Sequence, residues 1–258
     1  MDESLVAEHA KSYQIDPVET SNKGVFIIHG FASNPDVFRP YASKFADYGF
    51  HTYVARIAGH GISPEYFATT SRKQWSKSID DQFNKFSTSM DQIIVMGHSL
   101  GALHAIQLAV KHHPIALILL SPPIKPKSRI LIRFHHLLPY IAKIKKYWAV
   151  PNKKVKLLRE RGANIYEKHP LVAFDQMLQL IEEVQDDLPK LEVDTLLILG
   201  EEDEFVSQTS LEILESYIQA NGNSCQKWKA KDASHALIDT SNYPALEKQV
   251  YEFVKKYA

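Results

Sequence analysis

The pentapeptide Gly97-His98-Ser99-Leu100-Gly101 constrains this chain more than any other segment. Ahead of it, Ile93-Ile94-Val95-Met96 is an apolar run of the kind that forms a strand buried on both faces. Behind it, Ala102 to Val110 is apolar on nearly every side, which predicts a buried helix. A strand that turns directly into a helix brings backbone against backbone. Glycine two residues either side of Ser99 therefore has a steric reason. The serine hydroxyl is held beyond the strand end, at a helix N-terminus that favours negative charge.

Strand, G-x-S-x-G, helix is the context of a nucleophile elbow, although the same residues also read as a small-residue turn around an inert serine. The first reading makes further demands. A serine hydroxyl is a poor nucleophile at neutral pH, so it needs a base, and the base needs an orienting acid. In this architecture they follow in the order serine, acid, histidine, each in a loop past a strand. Thr195-Leu-Leu-Ile-Leu-Gly200 reads as such a strand, followed by the acidic loop Glu201-Glu-Asp-Glu204. Asp203 is the predicted acid, with Glu201, Glu202 and Glu204 as local alternatives. Cys225-Gln-Lys-Trp-Lys229 reads as a late strand, and His235 follows it in Ala233-Ser-His-Ala-Leu-Ile238. Of 12 histidines, His235 alone stands downstream of Asp203 in a strand-to-helix loop. His112 and His113 suit the negative end of a helix, and His29 and His98 are placed to brace turns. The remaining requirement is a pair of N–H groups for an oxyanion. Leu100 supplies one. Phe31 supplies the other, at the end of Val25-Phe-Ile-Ile-His-Gly-Phe31, where Gly30 permits close backbone approach to a ligand.

With Ile28-His-Gly-Phe31, Ala58-Gly-His-Gly61, Gly97-His-Ser-Leu-Gly101, Gly200-Glu-Glu-Asp203 and Ser234-His235 in this order, the chain resembles the α/β-hydrolase family over nearly its whole length. Within that family it is most similar to small bacterial carboxylesterases and monoacylglycerol lipases, which carry the same His-Gly-Phe turn and Gly-His-Gly loop. It departs from them at Arg56-Ile57-Ala58, where relatives often place a polar residue beside the glycine. The resemblance implies a serine hydrolase of carboxylic esters working through an acyl-enzyme on Ser99. It leaves open a thioesterase, an acyltransferase or a carbon–carbon bond hydrolase with the same triad, and a non-catalytic binding protein on this fold.

At 258 residues the chain has the length of one α/β domain. Strands are predicted near 25–28, 51–55, 92–97, 116–120, 195–200 and 225–229, mostly separated by helical segments. That alternation predicts a mostly parallel sheet covered by helices on both faces. Relatives usually place two further strands before the first of these, which implies a shortened N-terminal edge. The spacing breaks once. More than 70 residues without a strand signal separate Leu120 from Thr195, far beyond the needs of a crossover. The expected division is therefore a core of 1–121 and 190–258 with a helical cap inserted at 122–189. Its helices are expected near 128–147, 151–163 and 170–186, and Phe134 and Leu138 are expected to join Phe31 and Leu100 in contacting substrate.

The cap is electrically distinct. Lys125 to Arg161 holds 12 Lys or Arg and one acid, Glu160, in a chain of zero formal net charge, which leaves the remainder net negative by eleven. Between Arg129 and Trp148 the cations alternate with aliphatic and aromatic residues, a composition that suits either a solvated basic face or an interfacial segment on anionic lipid. A nucleic-acid partner is not expected. No dinucleotide fingerprint, Walker loop or His-Glu-x-x-His occurs, so no cofactor and no metal are expected. The single cysteine, Cys225, excludes an internal disulfide. The N-terminus lacks the apolar stretch of a secretory signal and no apolar run approaches membrane-span length. The expectation is a cytoplasmic protein, with peripheral membrane association through its basic cap, acting on a small ester or monoacyl lipid.

Overall fold

The computed structural model describes residues 3–19, 21–151, 166–238 and 243–257. Its strands are β1 (Tyr13–Ile15), β2 (Lys23–Ile28), β3 (His51–Ala55), β4 (Gln92–His98), β5 (Ala116–Leu120), β6 (Tyr147–Ala149), β7 (Lys168–Pro170), β8 (Thr195–Gly200) and β9 (Cys225–Ala230). Seven of them form one sheet in the order β1-β3-β2-β4-β5-β8-β9. Every pairing in it is parallel except that of β1 with β3. The central strands are continuous apolar runs because both of their faces are covered.

Successive residues alternate between the two faces. Phe26, Ile28, Val95, Leu117, Leu119, Leu197 and Leu199 point into one core. Val25, Ile27, Ile94, Met96, Ile118, Leu120, Leu196 and Ile198 point into the other. The helices are α1 (Arg39–Asp47), α2 (Pro64–Phe67), α3 (Arg72–Ser87), α4 (Leu100–His112), α5 (Arg129–Phe134), α6 (Leu138–Ile141), α7 (Leu171–Gln185), α8 (Thr209–Ala220) and α9 (Tyr243–Val254). The first core takes α3, α4, α7 and α8, and the second takes α1 and α9. Helix α3 starts on a capping box, with Ser71 and Gln74 satisfying each other's backbone N–H groups. Helix α4 is buried nearly all round because the sheet, α3 and α7 enclose it.

The register aligns the strand ends. Ile28 lies opposite Gly97, His98 opposite Leu120, Leu120 opposite Ile198, and Gly200 opposite Ala230. The loops that follow β2, β4, β8 and β9 therefore open along one edge of the sheet, where open α/β sheets bind ligands.

Strand β1 was not anticipated. It is three residues long and only partly buried, so it carries little hydrophobic signal. Two corrections fall between β5 and β8. The stretch expected to be free of strands contains a small antiparallel pair, β6 with β7, each too short to show a pattern. The helix expected over 128–147 is broken into α5, a 3-10 turn (His135–Leu137) and α6. Pro139 falls within the first two positions of α6, where its missing N–H costs nothing but where a longer helix could not pass through it. The third helix is present as α7. The helix expected near 151–163 lies outside the described residues. Among the described residues, no helix is long and apolar enough to cross a membrane.

Candidate active site

Ser99 occupies the turn between β4 and α4 with φ 52° and ψ −114°, a conformation that costs energy for a residue with a side chain. A Cβ at Gly97 would overlap the Gly101 carbonyl, and a Cβ at Gly101 would overlap the carbonyls of Ile28 and His29. The two glycines are thus required by the closeness of the turn to itself and to β2. Ser99 is nearly enclosed, at 4 % exposure, and Asp203 is fully enclosed, at 0 %.

The structure brings Ser99, His235 and Asp203 together across 136 and 32 residues of sequence separation. Ser99 Oγ lies 2.8 Å from His235 Nε2. His235 Nδ1 lies 2.8 Å from Asp203 Oδ2. A carboxylate can only accept, so Nδ1 carries the proton and Nε2 is left to accept from the serine hydroxyl. The other carboxylate oxygen of Asp203 accepts from the amides of Phe205 at 2.9 Å and Val206 at 2.7 Å. Burial alone would raise the Asp203 pKa. The hydrogen bond and charge of His235, with those two amides, outweigh burial and hold the carboxyl below the ordinary aspartate value.

The loop that carries His235 is tied from three sides. His98 Nε2–H donates to the His235 carbonyl at 3.0 Å, and the Ser121 hydroxyl donates to the same oxygen at 3.4 Å. The His235 N–H donates to Glu204 Oε2 at 2.9 Å. Burial, with the nearby His235 charge, pushes the His98 pKa down to about 4, so its ring stays neutral while it braces the loop. The acid loop is tied in turn to the chain leaving β5. Lys127 N–H donates to the Phe205 carbonyl at 2.8 Å, Ser207 N–H to the Lys125 carbonyl at 2.9 Å, and Lys127 Nζ to the Asp203 carbonyl. Sequence reasoning missed Lys127 and the main-chain role of Glu204. Both act on backbone atoms, which leave no residue-type signature.

Leu100 is the first residue of α4, so its N–H has no intrahelical carbonyl to bond. Phe31 follows His29-Gly30 at the end of β2. His29 secures that turn: the Ile57 N–H donates to its Nε2 at 3.1 Å, and its Nδ1–H faces the Gly30 carbonyl at 2.9 Å. Only a neutral ring satisfies both contacts. Burial, opposed only by the Gly30 contact, accordingly pushes the His29 pKa down to about 3. Both His29 and His98 brace turns, as their positions suggested.

Aromatic rings surround the triad. Phe205 lies 5.6 Å from the His235 ring and 6.0 Å from Phe174, and Phe174 lies 5.9 Å from Phe31 and 6.1 Å from Trp148. His169 stands 5.6 Å from Phe31. Of the expected substrate contacts, Phe31 and Leu100 are at the site. Leu138 packs partly buried against the first core. Phe134 is half-exposed, with His136 and the Arg133 guanidinium against its ring, and among the described residues no contact joins it to the triad. From the same segment, Phe174 and Trp148 bring further rings toward Phe31 and Phe205. Among the described residues, no group of three or more His, Cys, Asp or Glu is arranged to hold a metal ion.

Comparison with known proteins places the fold and the family. A carboxylesterase of Bacillus subtilis (strain 168) is 21% identical over 236 residues, covering 91% of this chain and 93% of the relative. A thermostable monoacylglycerol lipase of Bacillus sp. (strain H-257) is 24% identical over 244 residues, covering 93% of each. Among solved structures, one reported for the metagenome-derived lipolytic enzymes LipS and LipT superposes with a TM-score of 0.83 at 17% identity, over 97% of this chain and 99% of that one. The model of the Hydrolase_4 family, described as serine aminopeptidase S33, matches residues 19–239. Spanning most of the chain and all four strand-end loops of the site, that match makes the protein a member of the Hydrolase_4 (serine aminopeptidase S33) family of α/β-hydrolases.

Proposed function

We propose that the protein hydrolyses carboxylic esters through an acyl-enzyme on Ser99. One observation carries the reading: the unbroken relay from Ser99 Oγ through His235 to Asp203, each link 2.8 Å. Ser99 Oγ attacks the acyl carbon while its proton passes to His235 Nε2. The carbonyl oxygen becomes an oxyanion facing the amides of Phe31 and Leu100, each contributing about 3 kcal/mol to the barrier lowering. As the tetrahedral species collapses, the C–O bond breaks and the departing alkoxide takes the proton from Nε2. Water then attacks the acyl carbon, gives its proton to Nε2, and the acid leaves as Ser99 recovers its hydrogen. Asp203 holds the ring in the competent tautomer and stabilises its charged form.

In this reading residues 122–189 act as a cap over the mouth of the site. Phe174 comes from that segment and meets Phe31 and Phe205 of the core, and the Trp148 ring of the same segment lies against Phe174. Such a wall favours an acyl chain or aromatic acyl group over a highly charged substrate. The relatives named carboxylesterase and monoacylglycerol lipase support an ester of this kind. The test is a panel of p-nitrophenyl esters of graded acyl length, monoacylglycerols, acyl thioesters and amino-acid p-nitroanilides. Esters should be turned over in preference to the other classes. Preference for a thioester or an anilide over every ester would overturn the substrate class.

A further inference from the structure

The surface between α5 and β6 combines two features that soluble proteins usually keep apart. Of the ten large apolar side chains that stand exposed among the described residues, seven lie between Ile130 and Trp148. Ile144 is 93 % exposed, Ile130 74 % and Tyr140 66 %. Single exposed apolar residues are ordinary, but a contiguous run is not. The cations of the same stretch are Arg133, Lys143, Lys145 and Lys146, all exposed. Among the described residues, none of the four forms an ion pair with a carboxylate. Elsewhere surface cations do find acids: Lys77 pairs with Asp81, Lys111 with Asp80 and Lys227 with Glu215. Here the partners are rings instead, Arg133 over Phe134 at 5.8 Å and Lys143 over Tyr140 at 5.4 Å.

We propose that this face is a docking surface for an anionic lipid bilayer, with Ile130, Tyr140 and Ile144 entering the interface while Arg133, Lys143, Lys145 and Lys146 meet the headgroups. Charge complementarity selects the partner. Cations that find no carboxylate among the described residues call for a polyanion, and exposed aliphatic side chains beside them call for hydrocarbon. A bilayer with anionic headgroups supplies both. A nucleic acid would satisfy the cations and leave the aliphatic residues in water. Another copy of the same face would satisfy the aliphatic residues and set like charges against each other.

The position of the patch gives docking a consequence. Trp148 stands at its end, 54 % exposed, and its ring meets Phe174, the ring that bridges Phe31 and Phe205. A bilayer against the patch would face the aromatic approach to Ser99. For this consequence the inference rests on the ester-hydrolase reading, so a monoacyl lipid would enter from the membrane. The docking itself is measured apart from catalysis.

The experiment is flotation of the protein with vesicles of pure phosphatidylcholine, or of phosphatidylcholine with one third phosphatidylglycerol, at low and high salt. Hydrolysis of a short soluble ester is followed in parallel. Binding should require phosphatidylglycerol and weaken with salt. The combined substitution Lys143→Gln, Lys145→Gln and Lys146→Gln should lower the partition coefficient about a hundredfold. Ile144→Ser should lower it severalfold at unchanged salt dependence. Soluble-ester turnover should stay unchanged in both variants, which also shows that they fold. Failure to float with anionic vesicles at low salt overturns the proposal, as does equal binding by the triple variant. Tighter binding to a single-stranded RNA homopolymer than to the vesicles, or self-association abolished by Ile144→Ser, overturns it as well. Loss of ester turnover with vesicle binding intact would instead sink the enzymatic reading and leave the docking surface standing.

Discussion

The His235 N–H donates to the Glu204 carboxylate at 2.9 Å, so the residue after Asp203 holds the main chain of the histidine whose ring Asp203 holds. Two adjacent acids thus act on one residue, one on the ring and one on the backbone. Asp203→Asn should lower kcat by about four orders of magnitude through a wrong-tautomer ring. Glu204→Ala should cost about tenfold in kcat, the equivalent of one hydrogen bond, with KM little changed. Glu204→Gln keeps an acceptor oxygen and should recover most of that loss. Glu201→Gln and Glu202→Gln should be near neutral. Steady-state kinetics on the five variants checks the ranking. A Glu202 variant more damaging than Asp203→Asn would place the acid elsewhere.

Two histidines buried beneath the site make folding sensitive to acid. Burial pushes His29 down to about 3 and His104 to about 4, against an ordinary value of 6.5. The unfolded chain therefore takes up a proton on each below about pH 6.5, and the folded chain does not until pH 3 to 4. Their contribution is complete above pH 6.5 and is lost as the pH falls through that window, by about 1.4 kcal/mol per pH unit for each proton. Urea unfolding between pH 7 and 4.5 should show the midpoint falling. His104→Gln should be less stable at pH 7 yet show a shallower slope. An equal slope in wild type and variant would remove His104 from the account.

His135 should respond with the opposite sign. Its Nδ1 lies 2.9 Å from Asp175 and its Nε2 3.1 Å from Glu182, both on α7, with the His136 ring beside it. Carboxylates only accept, so both ring nitrogens must carry protons. Burial opposes the charge, but the two carboxylates outweigh it and raise the His135 pKa above 6.5. The stabilisation is complete below pH 6.5 and is lost as the pH rises through the raised value. Hydrogen exchange of residues 129–141, corrected for its intrinsic pH dependence, should speed up across that rise. The His135→Gln protein should exchange fast throughout. Exchange that ignores pH in the wild type would contradict the ion-paired histidine.

What the sequence disclosed follows from how much local physics each element carries. Strands β2, β4, β5 and β8 were legible because burial on both faces demands apolar runs, as in Ala116–Leu120. The turns at Ser99 and Phe31 were legible because Gly97, Gly101 and Gly30 stand where backbone meets backbone or a neighbouring side chain. Short elements were not: β1, β6 and β7 have three residues each and no room for a pattern. Helix 128–147 was misread because apolar spacing persists through Pro139 although the hydrogen-bond ladder cannot. The aromatic approach escaped notice because Phe174 and Phe205 are ordinary core residues by composition, and only the tertiary fold sets them around His235.

The central claim is that Ser99 is the nucleophile. The most direct measurement is reaction of the purified protein with a fluorophosphonate, read by intact mass and by mapping the modified peptide. One adduct should form on Ser99. It should be absent in Ser99→Ala, and it should form orders of magnitude more slowly in His235→Ala, where no base accepts the proton. Ser99→Ala should also lose ester turnover while its circular dichroism stays unchanged. An adduct on another serine, or wild-type turnover by Ser99→Ala, would contradict the account.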